Sequence, residues 1–347
     1  MTRSPSGQMA PPSLTAKLVG GMSMAVGSLP HRSLTEAVTL ALAATDILTL
    51  PTLPRRSPAE SMIAQALVGL PGVTVGQYGS IAVDASRIHA TEAVRTDLDH
   101  DAFAGFRAVL AAAAETGGYS MVKWQFVGPI TLGLALQRAG VPNATAFDIA
   151  MRSVRGHVTN LLAAVASALP GIEQLVVLDE PEWGELFETG FPLPPDVAID
   201  LLSGVLAVIE PVAVAGVHCC GEADLQSLMS AGPSLISLPA KLSVADQAGH
   251  VQRFLESGRW IAWGAVPTDG PVPITADRPW KRLCDLWCQL VQRGCSPAQL
   301  RQQSLITPEC GLGLHHPSVA ERVLRINAEL SSRVRDQATA TRFSFGA

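Results

Sequence analysis

Three side chains that can bind a soft metal ion follow two predicted strands. His218 and Cys220 end the apolar run 212–219, and Cys310 follows the run 304–307. Residues two apart in a strand point to the same side, so His218 and Cys220 face one way. Imidazole and thiolate are ligands that zinc prefers, and three protein ligands with one open position are typical of catalytic zinc. The sequence therefore predicts a zinc ion bound by these three side chains.

Packing is the competing interpretation of the same residues, because cysteine is among the most often buried residue types. Cys219 lies between two of the proposed ligands, should point to the opposite side of the strand, and is interpreted as a core residue. The placement of three donors at the ends of two strands favours metal binding over packing.

Polar side chains also follow other apolar runs. Asp179 and Glu180 follow the run 175–178, where a buried carboxylate is costly unless it has a partner, so one of them is expected to meet a cationic group or a proton donor. The alternative is a pair at the start of a helix that faces solvent. The Ser28 hydroxyl and a neighbouring backbone amide could hold a carboxylate. His31 either lines the same region or caps the next helix.

Eight short apolar runs alternate with amphipathic segments. The runs are 23–29, 46–53, 121–127, 175–178, 212–219, 235–238, 260–266 and 304–307. The amphipathic segments are 34–44, 59–67, 102–115, 144–168, 196–209, 223–229, 244–255 and 280–292, with a closing helix from 318 to about 334. Continuously apolar strands that each precede a helix predict an α/β fold, a single-domain (β/α)8 TIM barrel. A doubly wound open sheet is the alternative, because one sequence does not give the strand order.

The domain boundaries follow from the same pattern. Residues 1–18 are expected to be a flexible lead, 19–334 the barrel, and 335–347 a C-terminal tail. An insertion at about 71–99 contains two short apolar stretches, 73–78 and 80–83, which predict a hairpin.

Composition excludes several classes of protein. The 347 residues are 48% hydrophobic and 16% charged with a net charge of −5, which allows a large core and provides no basic stripe for nucleic acid. No apolar run approaches the roughly 18 residues that a membrane helix needs, and the start of the chain lacks the apolar core of a signal peptide. Six cysteines are too few for a disulfide scaffold, so a reducing cytoplasm is the expected location.

Five motifs together resemble the C-terminal catalytic barrel of cobalamin-independent methionine synthase. That family belongs to a superfamily with uroporphyrinogen decarboxylase and the corrinoid-protein:thiol methyltransferases. The resemblance spans about residues 20–330. The motifs are Val26-Gly27-Ser28-Leu29-Pro30, Val122-Lys123 with Gly128-Pro129-Ile130-Thr131-Leu132, Asp179-Glu180-Pro181, His218-x-Cys220 and Pro308-Glu309-Cys310-Gly311-Leu312.

The resemblance implies methyl transfer to a zinc-bound thiol, with homocysteine converted to methionine. It implies that His218, Cys220 and Cys310 bind zinc, and that Ser28 and Asp179 bind the amino acid part of the substrate. A metal-bound thiol loses its proton, and the thiolate is the nucleophile. Trp124 and Gln125 are expected to line the methyl-donor side, with Glu180 also at the substrate.

The chain departs from the family pattern at the metal. The family's fourth ligand, a glutamate, falls near Pro239, which cannot coordinate. Glu180, Glu222, Asp269 or water could take its place.

Two further departures affect the substrate. A substrate-binding glutamate of the family falls near Arg55 or Arg56, so the charge is reversed. Asp269 stands where the family has a histidine proton donor, so Asp269 is expected to act in catalysis together with His31.

The methyl donor and the activity class stay open at this point. The donor is methylfolate or methylcobalamin on a corrinoid protein. One alternative is a methylcorrinoid:thiol methyltransferase with another acceptor. The others are a decarboxylase-like barrel that uses acids and arginines without metal, and a non-catalytic barrel that holds zinc or a corrinoid.

Overall fold

The computed structural model describes residue 15 and residues 17–76, 80–84, 87 and 94–343, with side chains to residue 337. The strands are β1 (Leu48–Thr49), β2 (Val73–Val75), β3 (Ile81–Val83), β4 (Met121–Val127), β5 (Glu173–Asp179), β6 (Val214–His218), β7 (Leu235–Pro239), β8 (Trp260–Val266) and β9 (Ser304–Pro308). The helices are α1 (Leu34–Ala43), α2 (Met62–Leu67), α3 (Ala104–Thr116), α4 (Pro129–Arg138), α5 (Asn143–Ala168), α6 (Pro195–Ile209), α7 (Leu225–Ser230), α8 (Ala248–Glu256), α9 (Asp277–Gln292), α10 (Pro297–Gln302) and α11 (Pro317–Phe343).

Seven of the strands form one parallel sheet in the order β1-β4-β5-β6-β7-β8-β9. Apart from the β2–β3 insertion, sequence neighbours are therefore spatial neighbours, and the order never reverses as it would in a doubly wound sheet. The structure is a mixed α/β fold in which a curled parallel sheet forms a half-barrel. A complete (β/α)8 barrel is not confirmed.

The predicted first strand, 23–29, differs from the expectation. It makes only two isolated parallel bridges, Ser23 to Ile306 beyond one edge of the sheet and Ser28 to Thr52 beyond the other. The backbone N–H of Met24 donates to the carbonyl of Ile306 at 2.9 Å. The segment thus contacts both edges of the sheet without continuous strand pairing.

Two hydrophobic clusters lie on the two faces of the curled sheet. Trp124 and Phe126 of β4 belong to the larger cluster, between sheet and helices, whereas Met121 belongs to the inner one. Because side chains alternate along a strand, Lys123 and Gln125 share the inner face with Met121. This alternation decides which residues can reach the site.

Three predicted boundaries need correction. Helix α4 was not expected, and residues 129–136 of it are all buried except Ala135, so it lacks the one-sided apolar pattern that identifies a surface helix. The closing helix continues to Phe343, so much of the predicted tail 335–347 is helical. Leu18, predicted within the flexible lead, is buried in the inner cluster. Residues 1–14 and 16 of that lead lie outside the described residues.

The predicted hairpin in the insertion is present over its described part. Val73 pairs with Val83, and Val75 with Ile81, in antiparallel register. Residues 77–79, including Tyr78 of the predicted stretch, lie outside the described residues. No helix in the described chain combines the length and the apolar character needed to cross a bilayer.

A buried histidine connects α5 to the segment that follows the insertion. His157 Nδ1 lies 2.8 Å from the Thr96 hydroxyl, and its ring lies 6.3 Å from that of Phe103 and 5.5 Å from that of Phe126. Burial lowers the pKa of His157 from 6.5 to about 4, opposed by hydrogen bonds with backbone groups. The ring is therefore neutral in the folded protein near neutral pH.

This burial predicts a loss of stability in acid. The unfolded chain takes up a proton on His157 near pH 6.5 while the folded chain does not, so stability present above pH 6.5 is lost as the pH falls toward 4. The linkage amounts to about 2 kcal/mol at pH 5. Urea unfolding at pH 7.5 and pH 5 should show that His157→Gln loses less stability between these pH values than wild type. The control His250→Gln, on the surface helix α8, should keep the wild-type difference, and equal differences in all three proteins would refute the prediction.

Candidate metal and substrate site

The three predicted metal ligands converge. His218 ends β6, Cys220 follows it, and Cys310 lies just beyond β9; one ligand atom from each lies within 4.8 Å of the others. Strands β7 and β8 separate β6 from β9 in the sheet, so it is the curl of the sheet that brings the two carboxyl ends together. The structure thus brings the three sequence-predicted donors together, and their role as metal ligands stays a prediction.

The His218 ring is oriented for a ligand. Its Nδ1 lies 3.0 Å from the hydroxyl of Ser237, which stands opposite it on β7. Its Nε2 is buried and has no hydrogen-bond partner among the described residues. A buried polar atom without a partner is costly, and metal-binding histidines usually have the other ring nitrogen held in this way. The donor set and the unpaired nitrogen therefore fit a zinc ion.

The two thiols of the group interact with each other. A hydrogen bond with Cys310 lowers the pKa of Cys220, against the effect of burial, and the same bond raises the pKa of Cys310. Cys219 behaves as predicted: it is fully buried in the cluster between sheet and helices, and burial raises the pKa of its thiol to about 11. Because side chains alternate along the end of β6, Cys219 points to the helix layer, whereas Cys220 points to Cys310.

The described residues supply no carboxylate to this group. Pro239 ends β7 and has no ligating atom in its side chain. Glu222 is exposed, with its Oε1 3.9 Å from Lys241 Nζ, and Asp269 is exposed on the loop after β8. Among the residues that the structure describes, the three donors have no fourth protein ligand.

Glu180 is occupied elsewhere. Its fully buried carboxylate accepts hydrogen bonds from the backbone N–H groups of Ile130 and Thr131, both at 2.8 Å, and from the Thr131 hydroxyl at 2.6 Å. A Cβ at Gly128 would lie 2.1 Å from the carboxylate, so only glycine fits there. Burial raises the pKa of Glu180 to about 7, opposed by these bonds. The carboxylate holds the start of α4.

Asp179 lies at the end of β5, opposite His218 in the strand register. Its side chain is buried, and Oδ1 has no hydrogen-bond partner. Burial raises the pKa of Asp179, and electrostatic interactions with His218 and Lys123 oppose that rise. An unsatisfied carboxylate oxygen beside the three-donor group can bind a cationic part of a ligand.

Ser28 is tied to the loop that carries Cys310. The backbone N–H of Gly313 donates to the Ser28 hydroxyl at 3.1 Å, and that of Leu312 donates to the Ser28 carbonyl at 2.9 Å. The serine is half-buried, so its hydroxyl hydrogen can still reach a ligand. The structure therefore brings Ser28 to the metal-binding loop.

The structure separates the two β4 residues that were predicted together. Trp124 is fully buried on the helix side, where its indole N–H donates to Gln174 Oε1 at 2.9 Å, so it does not reach the three-donor group. Gln125 faces the interior and is the one residue of β4 that is only half-buried. The alternation of side chains along β4, counted from Met121, distinguishes Trp124 on the helix side from Gln125 on the inner side.

Lys123 is a residue at the site that sequence reasoning did not select. It is buried on the inner face of β4, and its ammonium donates to the Val26 carbonyl and, at 2.8 Å, to Gln125 Oε1. Burial lowers its pKa to about 8, opposed by the charge of Asp179. A lysine within a strand that is apolar apart from Gln125 was the available signal, because lysine is almost never fully buried unless it is paired.

The two arginines after β1 have different partners. Arg56 pairs with the buried carboxylate of Glu60 at 2.5 Å and with Asp101 at 2.5 Å, which are structural contacts. Arg55 is exposed and donates to the Leu314 carbonyl at 2.5 Å, on the loop beyond Cys310.

His31 and Asp269, the two residues predicted to act in catalysis, are not joined by a hydrogen bond in the described structure. His31 is buried with an unpaired Nδ1, and Asp269 is exposed. Among the described residues, no hydrogen bond joins the side chains of His31 and Asp269.

Comparisons with known proteins concern the fold. No protein-family model and no curated protein sequence matches the chain. A B12-independent methionine synthase from Shewanella sp. W3-18-1, solved with selenomethionine, matches with a TM-score of 0.64 and 14% identity, covering 93% of this chain and 100% of that one. A Listeria monocytogenes structure provisionally assigned as vitamin-B12-independent methionine synthase matches with a TM-score of 0.57 and 14% identity, covering 87% and 86%. Over most of its length, the chain therefore shares the fold of B12-independent methionine synthase structures.

Proposed function

We propose that this protein is a zinc-dependent methyltransferase that methylates a small thiol, with homocysteine as the leading acceptor and methionine as the product. The observation that carries the proposal is the group of His218, Cys220 and Cys310, in which a buried ring nitrogen has no partner. The shared fold with B12-independent methionine synthase structures supports the same class of reaction.

The proposal includes the architecture around the site. Residues 23–29 would take the place of a first strand and complete an eight-stranded barrel. The parallel bridges from Ser23 to Ile306 and from Ser28 to Thr52 support this, because they lie beyond the two edges of the sheet. Catalytic side chains would then gather at the carboxyl ends of the strands, as in other barrels of this kind.

His218, Cys220 and Cys310 would hold the zinc ion and leave one ligand position for the acceptor thiol. Zinc, when bound, would deprotonate that thiol and hold it as the nucleophilic thiolate. His218 would bind through Nε2, with Ser237 fixing the ring through Nδ1. The thiolate sulfur then forms a bond to the methyl carbon while the bond from methyl to its donor breaks, and the donor leaves with that electron pair.

The substrate's amino acid part would be held by neighbouring residues. Asp179 would bind the ammonium group, because its Oδ1 is buried without a partner. Ser28 would donate its hydroxyl to the carboxylate. Asp269 would donate a proton to the leaving donor when that donor is methylfolate, and His31 would act in catalysis together with it. The methyl donor is methylfolate or methylcobalamin on a corrinoid protein, and a methyl-transfer assay with both donors side by side separates these.

The metal proposal predicts the zinc content of purified protein. Wild type should carry about one zinc per chain, and Cys310→Ser should lose most of it because only two protein ligands remain. Cys219→Ser is the matched control, since that thiol faces the helix layer, and it should keep its zinc. Elemental analysis of folded protein gives the readout, and full zinc retention in Cys310→Ser would refute the ligand set.

The acceptor proposal predicts which thiols depend on Asp179. Asp179→Asn removes the charge with little change of shape, so homocysteine binding should weaken by about tenfold or more. Binding of 4-mercaptobutanoate, which lacks only the amino group, should change by less than about threefold. Calorimetric titration measures both. Equal weakening of the two thiols would show that Asp179 does not recognise an amino group.

A further inference from the structure

Lys123 and Gln125 form a polar pair on the inner face of β4. The buried ammonium of Lys123 donates to the Val26 carbonyl and to Gln125 Oε1. No acidic side chain in the described part of the chain lies within ion-pair distance of this ammonium. The pair thus consists of a buried cation, Lys123, and a half-buried amide, Gln125. Gln125 is the member of the pair that can contact a ligand.

The chemistry of the ammonium fixes the direction of the amide. A lysine ammonium has only hydrogen-bond donors, so the amide atom that faces it must be the oxygen of Gln125. The Nε2 group then points away from Lys123, with two N–H donors. Gln125 Nε2 makes no hydrogen bond to any described residue. It is therefore a directed donor that is free to meet a ligand.

Gly27 leaves the space that the Gln125 amide occupies. A Cβ at this position would lie 1.5 Å from Gln125 Oε1 and 1.9 Å from Nε2, which no side chain permits. The backbone of Gly27 also has φ +150°, a conformation that favours glycine. The next residue is Ser28, whose hydroxyl is tied to the loop of Cys310. The amide of Gln125 is thus packed against the segment that carries a second donor.

We propose that Gln125 determines specificity for the acceptor by donating its amide N–H groups to a carboxylate on the thiol substrate, and that Lys123 is the positioning residue that turns the amide toward it. The inference rests on the proposed thiol acceptor and names its class, a thiol that bears a carboxylate. It moves Gln125 from the methyl-donor side to the acceptor. Lys123 adds a positive charge beneath the amide, and Asp179 remains available for an ammonium group on the same substrate.

Three thiols of matched length test the inference. They are homocysteine, 4-mercaptobutanoate, which lacks the amino group, and 3-aminopropanethiol, which lacks the carboxylate. Gln125→Glu keeps the size of the side chain and a partner for Lys123, but it removes the donors and adds a negative charge. In calorimetric titrations of zinc-containing protein, this variant should bind the two carboxylate thiols about tenfold or more weakly, and 3-aminopropanethiol within about threefold of wild type.

Lys123→Met tests the positioning role, because it removes the ammonium and keeps the length of the chain. It should show the same selectivity, with a loss confined to the two carboxylate thiols, whereas a general loss of packing would weaken all three alike. Gln125→Met is the second variant if Lys123→Met does not fold, and it should also lose affinity for the carboxylate thiols alone.

The outcomes separate this inference from the proposed function. Equal losses for all three thiols, or no loss for any, would overturn the role of Gln125 while zinc-dependent thiol binding stands. Wild-type protein that binds 3-aminopropanethiol as tightly as homocysteine would do the same. Wild-type protein that carries zinc and binds none of the thiols would overturn both the inference and the proposed acceptor.

Discussion

The structure depends on the curl of a parallel sheet that brings the ends of β6 and β9 together. Two strands lie between them, yet ligand atoms of His218, Cys220 and Cys310 come within 4.8 Å of one another. The Ser237 hydroxyl holds one ring nitrogen of His218 and leaves the other buried and unpaired. That unpaired nitrogen is costly unless a ligand satisfies it, so the arrangement of the histidine fits the proposed metal ion.

Polar groups buried beside this site are satisfied in different ways. Glu180 accepts three hydrogen bonds at the start of α4, and Lys123 donates to a carbonyl and to Gln125. Asp179 retains an unpaired oxygen, and Gln125, whose Oε1 accepts from Lys123, makes no hydrogen bond to a described residue through Nε2. Glu180 and Lys123 are satisfied by hydrogen bonds within the protein, whereas Asp179 Oδ1 and Gln125 Nε2 are available to a ligand. Under the proposed function, a zwitterionic thiol would supply a cation and an anion to those two positions and a sulfur to the metal.

Sequence patterns predicted the elements whose hydrophobic pattern is uniform along their length. The bounds of β4 and β8 agree with the apolar runs 121–127 and 260–266, because these strands are covered on both faces. Alternation also separated Cys219 from the two neighbouring ligands. Helix α4 was missed because it is buried on nearly every side. The run 23–29 was expected as a strand, but its isolated bridges depend on contacts with both sheet edges, which no local pattern contains. Trp124 was expected at the site and Lys123 was given no role there. The alternation of faces along β4 places Trp124 on the helix side and Lys123 on the inner side.

X-ray absorption at the zinc edge tests the central claim most directly. The account predicts two sulfur neighbours at about 2.3 Å and one imidazole nitrogen at about 2.0 Å from the ion in purified protein. Addition of homocysteine should raise the number of sulfur neighbours from two to three, because the acceptor thiol takes the open position. A spectrum without sulfur neighbours, or one that stays the same when homocysteine saturates the protein, would contradict the account.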